Sequence, residues 1–248
     1  MPDWLALLCR IVLLVGLPVA LTLTNVRLLM THTWADLQYN TLNVPPDPFG
    51  FTREDRLYWA KRSIDYILGD PRAGAIEAWK FSDEGRAPAG YTAPAPETCN
   101  DYGDRYGPRD CTYFYNDREV RHMIDVRDLT GAALTVWAVT GLLVLLAIGA
   151  LVYAGQMATL RLGLLNGAAL TWGLFLFVAA FIGLNFNSFF TLFHEVFFAA
   201  GTWTFYWSDS LIRLFPLQFW FNTFLFVTLA TLGQAAIIAA FAWWVLQT

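Results

Sequence analysis

Four long apolar runs alternate with segments of quite different character. The runs cover 4–23, 132–153, 163–184 and 221–246. Each supplies the ~20 mainly apolar residues that a helix needs to cross ~30 Å of hydrocarbon. Arg10 is the one charged residue within them, near the start of the first run, where its long side chain reaches the headgroups. Pro18 predicts a kink in that helix. The first run is longer than a signal-peptide core and no small-x-small site follows it before Thr24, so a retained helix is expected. The pattern predicts an all-α membrane protein of four transmembrane helices, with a mainly helical cap inserted between helices 1 and 2.

The cap, 24–131, holds most of the polar matter. Of 16 Lys and Arg, only Arg10, Arg161 and Arg213 lie outside it. Within it, 52–68 predicts a helix: Leu57, Ala60, Ile64 and Leu68 recur on one face, Thr52 caps the start with Asp55 three residues on, and Gly69 and Pro71 end it. A second helix is expected from Asn116, with Glu119 at the capping-box position, running directly into the second apolar run. Between them 82–115, rich in Gly, Pro, Asp and Tyr, reads as loop. It carries Cys99 and Cys111, a candidate disulfide if the cap faces an oxidising compartment. Cys9, in the first run, is expected to be a small apolar residue.

A turn at 154–162 joins runs two and three, and an aromatic loop at 185–220 joins runs three and four. The turn holds Arg161 and no acid, while the loop holds Glu195, Asp209 and Arg213. An excess of positive charge on the cytoplasmic side then puts both termini and the short turn in the cytoplasm, and the cap and aromatic loop outside. Composition agrees with a membrane protein: 56% hydrophobic, 17% aromatic and only 15% charged, with mean hydropathy +0.44. No basic stripe stands apart from balancing acids, so no nucleic-acid partner is expected.

The histidines are His32, His122 and His194. His122 lies ten residues before the second run and His194 ten past the third, so both fall at the outer interface. On a helix, Glu119 and Asp125 neighbour His122 at i−3 and i+3. A carboxylate on one ring nitrogen raises the basicity of the other; the plainer account is a surface helix with pairs such as Arg121–Asp125. His194 lies in FFTLFHEVFFAAGTW, either an interfacial aromatic belt or an acyl-chain pocket with one acid/base group at its wall. The zinc motif H-E-x-x-H is not met, because Phe198 stands where its second histidine would be. Asp209 and Arg213, four apart, suit one helical turn as a pair that pins the loop or holds a polar headgroup. His32 reads as an interfacial structural residue.

Two segments together resemble one family. REVRHMIDVRDL at 118–129, then FHEVFF at 193–198, Trp203 and DSLIRLFP at 209–216, are similar to stretches of the lipoprotein intramolecular transacylases, the Lit family. The layout of four helices with a cap after the first also matches. The resemblance implies a bacterial cell-membrane enzyme acting on lipoproteins whose N-terminal cysteine carries an S-diacylglyceryl group. It moves the sn-2 acyl chain to the α-amino group of that cysteine, leaving a lyso-form lipoprotein. It implies His122 and His194 as catalytic residues and lipoproteins as substrates. Amide formation from an ester needs no cofactor or metal, membrane lipids are the other expected partners, and a monomer is the default for an intramolecular reaction.

An α-amine has an ordinary pKa of ~8 and a histidine one of ~6.5, so a histidine suits the base at neutral pH. The expected assignment is His122 as base, flanked by Glu119 and Asp125, with His194 serving the leaving oxygen or the oxyanion. Phe193, Phe197, Phe198, Trp203 and Trp207 are the candidate acyl-chain wall, and Arg121, Glu195, Asp209 and Arg213 candidate supporting groups. Three other readings remain: another membrane acyltransferase or lipid hydrolase, though no G-x-S-x-G is present; a thiol–quinone redox protein using Cys99 and Cys111; and a lipid-binding scaffold indifferent to loss of both histidines. The 82–115 loop looks long for the family.

Overall fold

The computed structural model describes residues 1–42, 44–89 and 112–244. The regular elements among them are helical: α1 (Asp3–Leu29), α2 (His32–Asn40), α3 (Arg53–Ile67), α4 (Asp117–Tyr153), α5 (Met157–Leu184), α6 (Phe186–Phe197), α7 (Ser210–Leu214) and α8 (Leu217–Trp244), with single 3₁₀ turns at Pro71–Ala73, Ile76–Ala78 and Asp83–Gly85. No strand occurs among the described residues, only an isolated antiparallel bridge between Lys80 and Tyr113. The chain divides into two compact units: Met1–Leu29, Ala132–Phe186 and Thr223–Thr248 form one, Met30–Gly131 and Asn187–Asn222 the other.

The first unit is built from α1, α5 and the apolar lengths of α4 and α8. These four helices are each long and apolar enough to cross a membrane. Small residues let them approach closely: a Cβ on Gly167 would meet the Leu13 carbonyl oxygen at 2.6 Å, and one on Gly163 the Leu13 side chain at 2.8 Å. Large apolar side chains such as Leu145, Phe177 and Ile237 face outward, the arrangement expected where the solvent is lipid. One inward-facing polar cluster is paired within itself. Asn25 donates to Thr231 and Gln234, each at 2.9 Å. The turn from α4 to α5 is set by Gly155 at φ +68, with Gln156 N–H bonded to the Leu151 carbonyl and Gly155 N–H to that of Val152, a glycine C-cap.

The second unit has an aromatic core. Trp59 and Phe114 stack at 4.0 Å, both fully buried with Trp79 and Tyr115. The indole N–H groups of Trp59 and Trp79 donate to the carbonyls of Arg86 and Ala73, so these rings are buried without an orphaned donor. Thr52 and Asp55 form the expected reciprocal capping box on α3. His32, read as an interfacial structural residue, meets α3 with Nε2 2.7 Å from an Asp65 oxygen.

Helix ends differ from the hydropathy pattern in one direction. α1 continues to Leu29, α5 begins at Met157 and α8 at Leu217. Polar or aromatic flanks lower the hydropathy without breaking the helix. α1 also continues through Pro18, with Thr22 Oγ donating to the Pro18 carbonyl at 2.7 Å. α2 and α6 were not anticipated: the stretch read as an aromatic loop opens with a helix of twelve residues. Cys9 is buried and free, whereas Cys99 and Cys111 lie outside the described residues.

Candidate active site

Asn116 and Glu119 start α4 with a reciprocal cap. Glu119 N–H donates to Asn116 Oδ1 at 3.0 Å, and Asn116 N–H to Glu119 Oε2 at 2.8 Å. The charged residues from Asp117 to Asp128 keep this end of the helix ahead of its apolar stretch, which begins near 132. His122 follows in the next turn. α6 supplies His194. The two rings lie 6.1 Å apart between centroids and 26° from parallel, and each residue is buried, 6% and 8% exposed.

Aromatic rings surround the pair. Phe198 touches both, at 4.8 Å from His122 and 5.6 Å from His194. Phe205 packs on His122 at 5.3 Å. Phe190, Phe193 and Trp203 pack on His194 at 4.2, 5.6 and 4.9 Å. Trp203 returns to α6 because the chain reverses after it: Thr202 N–H bonds to the Ala199 carbonyl and Gly201 takes φ +83, a conformation that favours glycine. Arg118 holds the far side of this turn to α4 by donating to the Thr204 carbonyl at 3.1 Å.

The two imidazoles differ in what fixes them. His194 Nδ1 lies 2.8 Å from the Phe190 carbonyl oxygen. A carbonyl only accepts, so Nδ1 carries the proton and Nε2 presents its lone pair. His122 Nδ1 is buried with no hydrogen-bond partner among the described residues. Burial pushes the pKa of His122 down to about 4, and the neighbouring His194 pushes the same way. Burial also lowers that of His194, opposed by the Phe190 carbonyl. Both are neutral imidazoles at pH 7.

The other expected site residues divide. Phe193, Phe198 and Trp203 border the histidines. Phe197 packs on Phe193 at 4.9 Å and not on either imidazole. Trp207 is 76% exposed. Glu195 and Arg121 are exposed and Asp125 half-buried.

The expected carboxylate partner of His122 is not Glu119. Glu119 spends one oxygen on Asn116 N–H and the other on Leu211 N–H at 2.6 Å, which ties the start of α4 to α7. Asp209 joins that clasp, accepting from Asn116 Nδ2 at 3.1 Å and from Tyr206 N–H at 2.8 Å. Burial and the Asp209 charge push Glu119 up to about 8 against the two backbone donors. The expected Asp209–Arg213 pair also does not form. Arg213 instead grips Asp47 through two bonds of 2.9 and 3.1 Å and donates to the Phe49 carbonyl. Asp209 stands at the N-cap of α7 without a side-chain cap bond, its oxygens turned instead to Asn116 and Tyr206.

Phe190, Phe205, Arg118 and Asp47 were missed. Phe190 had a signal: it stands four residues before His194, and Phe186, Phe190, Phe193 and Phe197 recur at helical spacing. No local pattern marks Phe205 or Asp47. Among the described residues, no group of three His, Cys, Asp or Glu is placed to hold a metal ion.

Comparison with known proteins gives the family and the fold. The family model of the lipoprotein intramolecular transacylase Lit matches residues 11–220. A protein of Aquifex aeolicus (strain VF5), described only as uncharacterized, is 25% identical over 211 residues, spanning 83% of this chain and 79% of its own. The in meso structure of the membrane-integral lipoprotein intramolecular transacylase Lit from Bacillus cereus superposes with a TM-score of 0.65 at 16% identity, covering 96% of this chain and 94% of that one. A variant of the Bacillus cereus protein with one histidine replaced by arginine gives 0.61 at 15% identity, covering 98% and 92%. The chain belongs to the Lit family of lipoprotein intramolecular transacylases, a multi-pass membrane acyltransferase of lipoprotein processing.

Proposed function

We propose that His122 and His194 are the catalytic residues of this transacylase, with His194 carrying the proton and His122 polarising the ester. The observation that carries the reading is the meeting of two buried, neutral imidazoles from α4 and α6 within one aromatic enclosure. The role assignment reverses the one the sequence suggested. His194 has its tautomer fixed by Phe190, so Nε2 is aimed as a base. Among the described residues His122 has no carboxylate partner, burial lowers its basicity, and a neutral imidazole N–H suits a developing oxyanion.

The reaction then runs as follows. The α-amino nitrogen of the N-terminal cysteine attacks the carbonyl carbon of the sn-2 ester, forming the C–N bond and moving the C=O electron pair onto oxygen. His122 N–H stabilises that oxygen. His194 Nε2 takes the proton released by the attacking nitrogen and returns it to the sn-2 glyceryl oxygen as the C–O bond breaks. The products are an amide and an alcohol, with no net proton change. Substrate amine and ester sit on one molecule, so holding the two arms together supplies the orientational part of the acceleration. The rings of Phe190, Phe193, Phe198 and Phe205 keep water, the competing nucleophile, away from the ester.

The distribution of charge supports an extracytoplasmic cap and active site with cytoplasmic termini, in the cell membrane of a bacterium. An intramolecular reaction with both histidines from one chain supports a monomer as the working form.

A synthetic diacylglyceryl lipopeptide with an isotope label on the sn-2 chain alone tests the transfer. The purified enzyme should move the label to the cysteine nitrogen without dilution by an unlabelled lipopeptide in the same mixture. Label appearing on the unlabelled peptide would show intermolecular transfer and refute the proposal.

A further inference from the structure

Buried indole N–H groups elsewhere in this chain find acceptors. Those of Trp59 and Trp79 donate to backbone carbonyls at 3.2 and 2.9 Å, and that of Trp137 to Thr24 Oγ at 3.0 Å. Trp203 breaks the pattern. Its Nε1 is buried with no hydrogen-bond partner among the described residues, and its ring packs on His194 at 4.9 Å. The other orphaned polar atom of this enclosure is His122 Nδ1. A buried donor without an acceptor is unfavourable and calls for an explanation. Here the unpartnered indole donor and an unpartnered imidazole nitrogen occur on side chains that both pack against His194.

Trp203 is also held in place from outside its ring. The Ala199–Thr202 turn with Gly201 brings it back over α6, and Arg118 fixes the following Thr204 carbonyl to α4 one turn ahead of His122. The chain thus carries the indole to the base and restrains it there, while nothing among the described residues accepts its hydrogen.

We infer that the Trp203 indole N–H is a second oxyanion donor, a catalytic residue acting with His122 on the carbonyl oxygen of the sn-2 ester. As the amine adds and the C=O electron pair moves to oxygen, that oxygen becomes a strong acceptor and the indole hydrogen gains the partner it otherwise lacks. The interaction strengthens from ester to tetrahedral intermediate, so it acts on kcat and little on binding. When the C–O bond breaks, the pair returns to the carbonyl and the donor is released. The inference rests on the placement of acyl transfer at His122 and His194.

The test replaces Trp203 with 3-benzothienylalanine, introduced at an amber codon, in the full-length protein. This side chain keeps the bicyclic shape and substitutes sulfur for the N–H. Trp203→Phe is made in parallel. With a diacylglyceryl lipopeptide in detergent, the expected result for both is a kcat about 10²–10³-fold lower, with KM within about threefold. The benzothienyl protein should keep the unmodified protein's thermal unfolding midpoint. A benzothienyl enzyme with unmodified kcat overturns the inference, whatever Trp203→Phe does. His122→Ala and His194→Ala in the same assay separate the two levels: if they too retain activity, the placement of the chemistry fails, and if they alone lose it, only the role of Trp203 fails.

Discussion

His194 Nδ1 donates to the carbonyl oxygen of Phe190, one turn earlier on α6, at 2.8 Å. Many catalytic histidines are oriented by a carboxylate, which also raises their basicity. A carbonyl fixes the tautomer with less electrostatic pull, which suits a site otherwise lined by aromatic rings. Glu195, adjacent in sequence, is exposed.

Unequal roles predict unequal variants. His194→Gln removes the base, and the turnover rate should fall by about 10²–10⁴. His122→Ala should cost about 10²–10³. His122→Gln restores an N–H donor without a titrating group, so it should recover at least about tenfold over His122→Ala. Single-turnover rates on a lipopeptide substrate read the difference. Equal losses for His122→Gln and His122→Ala would exclude the donor role.

The pH dependence has a definite sign. His122 has its pKa lowered from 6.5 to about 4. The unfolded chain binds this proton near pH 6.5, while the folded protein resists it until about 4. Its contribution to stability is therefore present above 6.5 and lost as pH falls through the window between the two. His194 shifts in the same direction. The acid limb of kcat should lie below the ordinary histidine value of 6.5, measured with saturating lipopeptide, and His122→Gln should flatten the loss of thermal stability between pH 6.5 and 4.

Glu119 behaves oppositely. Its pKa is raised from 4.5 to about 8 by burial and by Asp209. The folded protein holds the proton where the unfolded chain has released it, so this contribution is full below pH 4.5 and is lost as pH rises through about 8. Glu119→Ala leaves the N–H groups of Leu211 and Asn116 without this acceptor and should destabilise the fold by about 1–3 kcal/mol. Glu119→Gln should remove the pH dependence between 4.5 and 8 in thermal unfolding scans while retaining part of the clasp.

The pair between Arg213 and Asp47 is a buried ion pair of the second unit, 7% and 1% exposed at the side chains, with the guanidinium 4.0 Å over the Phe51 ring. Removing one partner strands the other's charge. Arg213→Met and Asp47→Asn should each cost about 3–5 kcal/mol, and the double variant clearly less than their sum. Thermal unfolding of the four proteins in detergent closes the cycle.

Much of this was legible in the sequence. The four apolar runs announced α1, α4, α5 and α8, because hydrocarbon thickness sets their length directly. Thr52–Asp55 and Asn116–Glu119 announced the starts of α3 and α4, because capping is local. His122 and His194 were both singled out, and their meeting at 6.1 Å joins segments far apart in the chain. What stayed hidden is non-local. Glu119 sits at the right spacing for His122, yet Leu211 claims it from α7. Arg213 is four residues from Asp209, yet its partner is Asp47. Spacing gives the neighbours a side chain is able to reach, and tertiary packing chooses among them.

The most direct test of the central claim is mass spectrometry of a reporter lipoprotein's N-terminal peptide. The chain would be co-expressed in bacteria that make the diacylglyceryl form and lack the usual N-acylating enzyme. Intramolecular transfer at His122 and His194 gives a peptide of unchanged total mass whose fragments show an N-acyl cysteine and a monoacyl glyceryl group, and that species is lost with His122→Ala and with His194→Ala. A peptide that remains diacylglyceryl with a free amine beside folded, unmodified protein would contradict the account. So would the lyso form persisting in both histidine variants.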